Sequence, residues 1–163
     1  MAKKKSVVTN AMRILKSKKI LFKAYEYEAE EVGESFGNKI AELLNINPDF
    51  TYKTLVGRGD KTGILVAVIP VNKELNLKKL SAASGNKSVQ LIHVKELLEL
   101  TGYVRGGVSP IGMKKQYPTY VENTNLESNI LYVSGGVCGV SLEMTTEDFL
   151  NITEAKPCNI VND

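Results

Sequence analysis

Apolar positions along the chain follow two rhythms, one of three to four residues and one of two. From Ser6 to Lys18 they fall at Val7, Val8, Ala11, Ile14 and Leu15, the spacing of a helix with one buried face. Ser6 stands where an N-cap is wanted, and at about 100° per residue Arg13 and Lys16 fall on the opposite, wet face. LFKAYEYEAE then reads as a strand entering an acidic, glycine-containing loop. A second helix is expected from Phe36 to Leu44, with Phe36, Ile40, Leu43 and Leu44 on one side and Asn45 and Pro48 to stop it. YKTLVG and GILVAVIP read as two strands joined through GRGDKTG, a hairpin signal. NLKKLSAASG reads as a helix capped by Asn76 and ended by Gly85, SVQLI as a short strand, and HVKELLELTG as a helix ending at Gly102. Strands follow at TYVEN, NILYVSG and VCGVSLEM. A short helix, TTEDFL, opens at Thr145 with acids in its first turn, where the helix dipole favours them.

Helices and strands are interspersed, and the later strands are mostly linked as hairpins. This predicts a mixed α/β (α+β) fold: a mixed or largely antiparallel sheet, able to curl into a barrel, flanked by helices. A doubly wound parallel sheet fits less well. No repeat, low-complexity segment or linker divides the chain, so residues 1–163 read as a single domain.

Composition leaves this picture intact and narrows it. With 43% hydrophobic and 24% charged residues the chain is neither disordered nor fibrous. The longest clear apolar run, Ile64 to Ile69, is of strand length, well short of the roughly 18 residues a spanning helix needs. Lys3 to Lys5 imitate the start of a signal peptide, but SVVTNAMRILKSKK is amphipathic and supplies no apolar core for one. A cytoplasmic protein without membrane contact is expected. Cys138, Cys158 and the lone His93 make neither a disulfide framework nor a metal cluster, so no metal is expected. The net charge of +3 hides an asymmetry: eight basic residues precede the first acid, Glu26, and the remaining 13 face 18 acids. A basic end can attract a polyanion such as nucleic acid, or can simply be a solvated helix face.

Candidate chemistry concentrates in TGYVRGGVSPIGMKK, residues 101–115. Gly107 to Gly112 has the G-x-x-x-x-G spacing of a phosphate loop. Met113 and Lys114, however, stand where that loop needs Lys and then Ser or Thr, and Pro110 removes an amide donor. A nucleoside-triphosphate site is therefore not expected. Two readings stay open. Gly106 and Gly107 can let backbone groups approach a ligand, with Arg105, Lys114 and Lys115 to draw in an anion. Alternatively the stretch is an ordinary turn that needs Gly and Pro. A second pair, Gly135 and Gly136, follows Ser134 at the end of the apolar strand ILYV. Together the two loops can offer backbone amides and a hydroxyl to a compact group or an oxyanion, or the second can be a tight hairpin.

Lys53 is the third candidate. A period of two puts it on the same face as Thr51 and Leu55, and Leu55 argues that this face is partly buried. A sheltered lysine can hold a carbonyl or a phosphate, while an edge-strand lysine can equally serve to block aggregation. A His-dependent triad would have to use His93, far in sequence from both glycine pairs, and neither cysteine is set up as an activated thiol. An enzyme built from these residues would bind and orient, and leave the reactive group to its substrate.

Four segments carry a resemblance: Tyr52 to Leu55 (Y-K-T-L), Leu75 to Lys79 (L-N-L-K-K), Thr101 to Lys115 (T-G-Y-x-x-G-G-x-S-P-x-G-x-K-K) and Tyr132 to Gly136 (Y-V-S-G-G). In this order and spacing the chain resembles the YbaK/EbsC family, whose members are similar to the editing domain inserted in some prolyl-tRNA synthetases. The resemblance implies a mixed α/β fold around a curved, barrel-like sheet. It implies removal of cysteine from mischarged Cys-tRNA(Pro), and also from Cys-tRNA(Cys), with the cysteinyl thiol attacking its own ester to give a thiolactone. It implies no cofactor, and a transient complex with prolyl-tRNA synthetase and tRNA. Matched position by position, Lys53 falls on the family's essential lysine. Gly106 and Ser134 fall on contacts to the aminoacyl group, with Gly107 and Gly135 beside them. Tyr25, Phe36, Thr51 and Thr54 fall on pocket-lining positions. Arg13, Lys16, Arg105, Lys114 and Lys115 become candidates for tRNA phosphate contacts. Val137-Cys138 departs from the polar or basic residues that relatives often carry there. Two other functions remain within reach: a deacylase for another small amino acid such as alanine, using water, and a non-catalytic regulatory module of the EbsC type.

Overall fold

The computed structural model describes residues 8–27, 41–42 and 44–163. Its helices are α1 (Asn10–Ser17), α2 (Leu77–Ser84), α3 (Leu97–Thr101) and α4 (Thr146–Thr153). Its strands are β1 (Lys23–Glu26), β2 (Tyr52–Gly59), β3 (Gly63–Pro70), β4 (Val89–Leu91), β5 (Thr119–Glu122), β6 (Ile130–Ser134), β7 (Val140–Thr145) and β8 (Lys156–Cys158). Five of these form one sheet in the order β4-β2-β3-β5-β8, and three form a second in the order β1-β7-β6. The β3–β5 and β5–β8 pairs are parallel and the other pairs are antiparallel, so the mixed sheet is as expected. Among the described residues the sheets do not close into a barrel. They touch at a parallel bridge between Thr51 and Tyr132.

The continuous run in β3 is explained by cover on both of its faces. On one side Val66 and Val68 pack with Val121, with Leu131, Val133 and Leu142 of the second sheet, and with Met12, Leu15 and Phe149 of the helices. On the other, Leu65, Ala67 and Ile69 pack under Leu80 of α2 and Ile160. Each such side chain taken fully from water contributes about 1.5–3 kcal/mol.

Helix α1 starts later than its apolar pattern suggests. Thr9, not Ser6, is the cap: its hydroxyl accepts from the Met12 amide at 3.2 Å, an arrangement that contributes about 1 kcal/mol. Arg13 and Lys16 are exposed on the wet face, as read. The expected second helix lies largely outside the described residues, Phe36 included. Ala41, Glu42 and Leu44 are helical, and Asn45 ends that helix at φ 55°. HVKELLELTG divides into a 3-10 turn, Val94–Glu96, and α3, which Gly102 ends at φ 85°. Strand β8 had no sequence signal, since Pro157 argues against a strand. It is held because Asn123 donates to the Cys158 carbonyl at 2.9 Å. Just beyond it, the Ile160 amide donates to the buried Glu122 carboxylate at 2.7 Å.

Candidate active site

Strand β2 pairs with β3 along its whole length, but its other edge is engaged only at the ends. Thr51, just before β2, bridges Tyr132 of β6, and Gly57–Gly59 pair with β4. The Ile92 amide extends the second contact by donating to Val56 O at 3.1 Å. Between these ends the two sheets splay apart, and a cavity of about 440 Å³ fills the gap. The Val71 amide donates to Thr51 O at 2.8 Å, which sets the alternation: Thr51, Lys53 and Leu55 turn their backbone groups to β3. The amide and carbonyl of Thr54 therefore turn to the open edge.

A strand edge, rather than one face, thus forms the cavity wall, and residues from both faces of β2 reach it. Lys53 stands opposite Ile69 and Leu55 opposite Ala67, with Leu55 half-buried against the α2-side cluster, as the period of two implied. Thr54 stands opposite Val68, on the face of the inter-sheet core. Lys53, half-buried, and Thr51 and Thr54 all line the cavity. The Thr54 hydroxyl is buried and has no hydrogen-bond partner among the described residues. A buried hydroxyl left in that state costs about 1–3 kcal/mol, and it borders a cavity in which a ligand could satisfy it.

Gly106, at φ 88°, and Ser134 also line the cavity, so the two glycine loops do converge there. Their neighbours have a different task from the one expected. A Cβ on Gly107 would lie 2.8 Å from the Val137 Cα and the Cys138 amide nitrogen, and one on Gly135 would lie 2.6 Å from Val140 Cγ1. Neither glycine lines the cavity. Each leaves room for one part of the protein to pack closely on another. Val137-Cys138, the departure from the family pattern, is where the Gly107 loop rests. Burial pushes the Cys138 thiol above its ordinary value, and no cysteine or histidine lines the cavity among the described residues.

Of the expected cations, Arg105 lines the cavity. Arg13, Lys16, Lys114 and Lys115 are exposed and lie off it. Tyr25 is beside the cavity rather than in its lining: it opposes Ser141, which opposes Ser134. Tyr27 and Ser141, not anticipated, do line it. The period of two from Tyr25 pointed to Tyr27, and burial pushes its phenol up to about 12. An apolar lobe of Leu91, Ile92, Val94 and Leu97 had no signal beyond ordinary strand and helix patterning.

The charged groups of the lining, Lys53 and Arg105, are both cations, and it contains no Asp or Glu among the described residues. Such a site can bind an anionic or ester-bearing ligand and orient it. Among the described residues it holds no Cys or His nucleophile and no carboxylate base.

A mixed α/β fold around such a cavity defines a small-ligand site, and comparison with known proteins gives the class. The sequence matches the family described as the aminoacyl-tRNA editing domain over residues 31–152. The chain belongs to that family, and is an enzyme of aminoacyl-tRNA editing. It is 47% identical over 157 residues to an Enterococcus faecalis protein provisionally named Cys-tRNA(Pro)/Cys-tRNA(Cys) deacylase EbsC, covering 96% of this chain and 95% of that one. The YbaK/EbsC resemblance therefore holds. A proline-tRNA ligase of Kosmotoga olearia is 26% identical over 148 residues, which are 82% of this chain and 25% of the ligase. A crystal structure described as a provisional trans-editing enzyme for prolyl-tRNA synthetase superposes with a TM-score of 0.82 at 22% identity, covering 97% of this chain and all of the other. No described helix is long and apolar enough to cross a membrane.

Proposed function

We propose that this chain removes cysteine from mischarged Cys-tRNA(Pro), and from Cys-tRNA(Cys), by letting the substrate's own thiol break the ester. The observation that carries this reading is a cavity lined by Lys53, hydroxyls and a strand edge, with no Cys, His, Asp or Glu in its lining among the described residues. The near full-length relationship to the EbsC protein supports the same substrate.

In the proposed reaction the thiol gives up its proton and its sulfur attacks the ester carbonyl carbon. A C–S bond forms and the C–O bond to the terminal ribose breaks. The ribose oxygen leaves with the proton, giving a four-membered thiolactone and free tRNA, so no water is consumed. Folding the substrate back on itself is an orientation problem, and the cavity is suited to it. Lys53 holds the terminal adenosine or the ester. Gly106 and Ser134 flank the aminoacyl group, and Thr51 and Thr54 close the wall. Arg105 receives a phosphate near the mouth, with Arg13, Lys16, Lys114 and Lys115 as further phosphate contacts on the surface. Prolyl-tRNA synthetase is the transient partner, since it generates the error by accepting a side chain close to proline in volume.

The test is purified protein with cysteinyl, alanyl and seryl esters of tRNA(Pro), following free tRNA and trapped thiolactone. We expect the cysteinyl ester to be cleared far faster than the others, with thiolactone formed in step. Equal clearance of alanyl ester would instead indicate hydrolysis by water, and clearance of none would indicate a binding module.

A further inference from the structure

The polar face of the three-stranded sheet carries a cluster that adjoins the cavity without lining it. The Tyr25 phenol donates to Glu143 Oε1 at 3.1 Å, and the Tyr132 phenol donates to the same oxygen at 2.7 Å. The two rings meet edge to face with centroids 6.0 Å apart. Sheet register fixes the location: Tyr25 opposes Ser141, Ser141 opposes Ser134, and Glu143 opposes Tyr132. The cluster is therefore one rung, about 7 Å, along the same face from two cavity hydroxyls.

Both phenol protons are directed to one carboxylate oxygen. Hydrogen bonding to Glu143 raises the Tyr25 phenol, and burial with the same bond raises that of Tyr132, so both stay neutral. What remains on offer is acceptors only: lone pairs on two phenol oxygens, and Glu143 Oε2, which has no partner among the described residues. Lys23 stands across the ladder from Glu143, but it is exposed and forms no ion pair with it among the described residues. A half-buried, negatively charged, acceptor-only surface between two aromatic rings is the chemistry that receives an ammonium.

We infer that Glu143, held in place by Tyr25 and Tyr132, receives the α-ammonium of the aminoacyl ester and so selects substrates with a free α-amine. This rests on the deacylase reading above. It orients the cysteinyl group from its amine end.

The test is binding of the non-hydrolysable 3′-amide analogue of cysteinyl-adenosine and of its N-acetyl derivative. Both are titrated calorimetrically into the full-length wild type and Glu143→Gln. We expect the wild type to bind the free amine about tenfold or more tightly than the acetylated form. Glu143→Gln should lose that preference while binding the acetylated form as the wild type does. A purely structural role, pinning β1 and β6 to β7, would weaken both ligands alike, and that result overturns the inference. So does a wild type that binds both equally, or neither, whatever the variant's folding. Failure of the deacylase reading is seen separately, as a wild type that leaves Cys-tRNA(Pro) intact.

Discussion

Lys53 and Thr54 are neighbours in sequence that point to opposite faces of β2 and still meet the same cavity, because an open strand edge separates them from β6. At Thr54 the structure holds a buried hydroxyl without a partner among the described residues, a group that a bound ligand can satisfy. Thr54→Val keeps the shape and removes the hydroxyl. We expect it to raise stability by about 1 kcal/mol in urea titrations and to lower deacylation about tenfold. A variant both less stable and fully active would show that the hydroxyl serves the fold. Lys53 was legible as a candidate from its alternation with Thr51 and Leu55. Thr54 was legible only through the family resemblance, because a threonine in a strand is the most ordinary of residues. Tyr27 followed from the same alternation as Tyr25 and was overlooked. Glu143 sits in VCGVSLEM like any exposed strand carboxylate, and what sets it apart, two phenols on one oxygen, depends on partners 118 and 11 residues away.

The glycine loops were plain in the sequence as elements, and both reach one cavity, through Gly106 and Ser134. The division of labour among the glycines was not legible. A glycine leaves space, and the sequence does not say whether a ligand or a neighbouring loop fills it. Gly107 meets the backbone of Val137 and Cys138, which cannot rotate aside as a flexible side chain would. Gly107→Ala is therefore expected to destabilise the protein by about 1–3 kcal/mol, read as a lower thermal midpoint. It should also widen the contact between the loops that carry Gly106 and Ser134. An unchanged midpoint would mean that the loops are held apart by something other than this contact. The hairpin β2–β3 and helix α2 were read almost to the residue, because turn and cap chemistry are local. The start of α1 was misplaced because Val7 and Val8 fit the helical spacing, whereas the residue that caps the helix, Thr9, follows them.

For the whole molecule, the interspersed pattern was enough for a mixed sheet with helices, but not for its division. Closure into a barrel depends on whether β2 and β6 stay paired, and they meet through Thr51 and Tyr132 before parting. No local pattern encodes that divergence, yet it creates the cavity. Strand β8 was invisible because Glu122 and Asn123, far away in sequence, hold the backbone of residues 158–160. In the proposed reaction the cysteinyl ester is broken in the gap between the sheets, with Lys53 at its wall. Single-turnover deacylation of Cys-tRNA(Pro) by the wild type and by Lys53→Ala tests this most directly. We expect the wild type to release tRNA rapidly, and Lys53→Ala to be slower by about 100-fold or more with its thermal midpoint unchanged. A folded Lys53→Ala protein that deacylates at the wild-type rate would contradict the account.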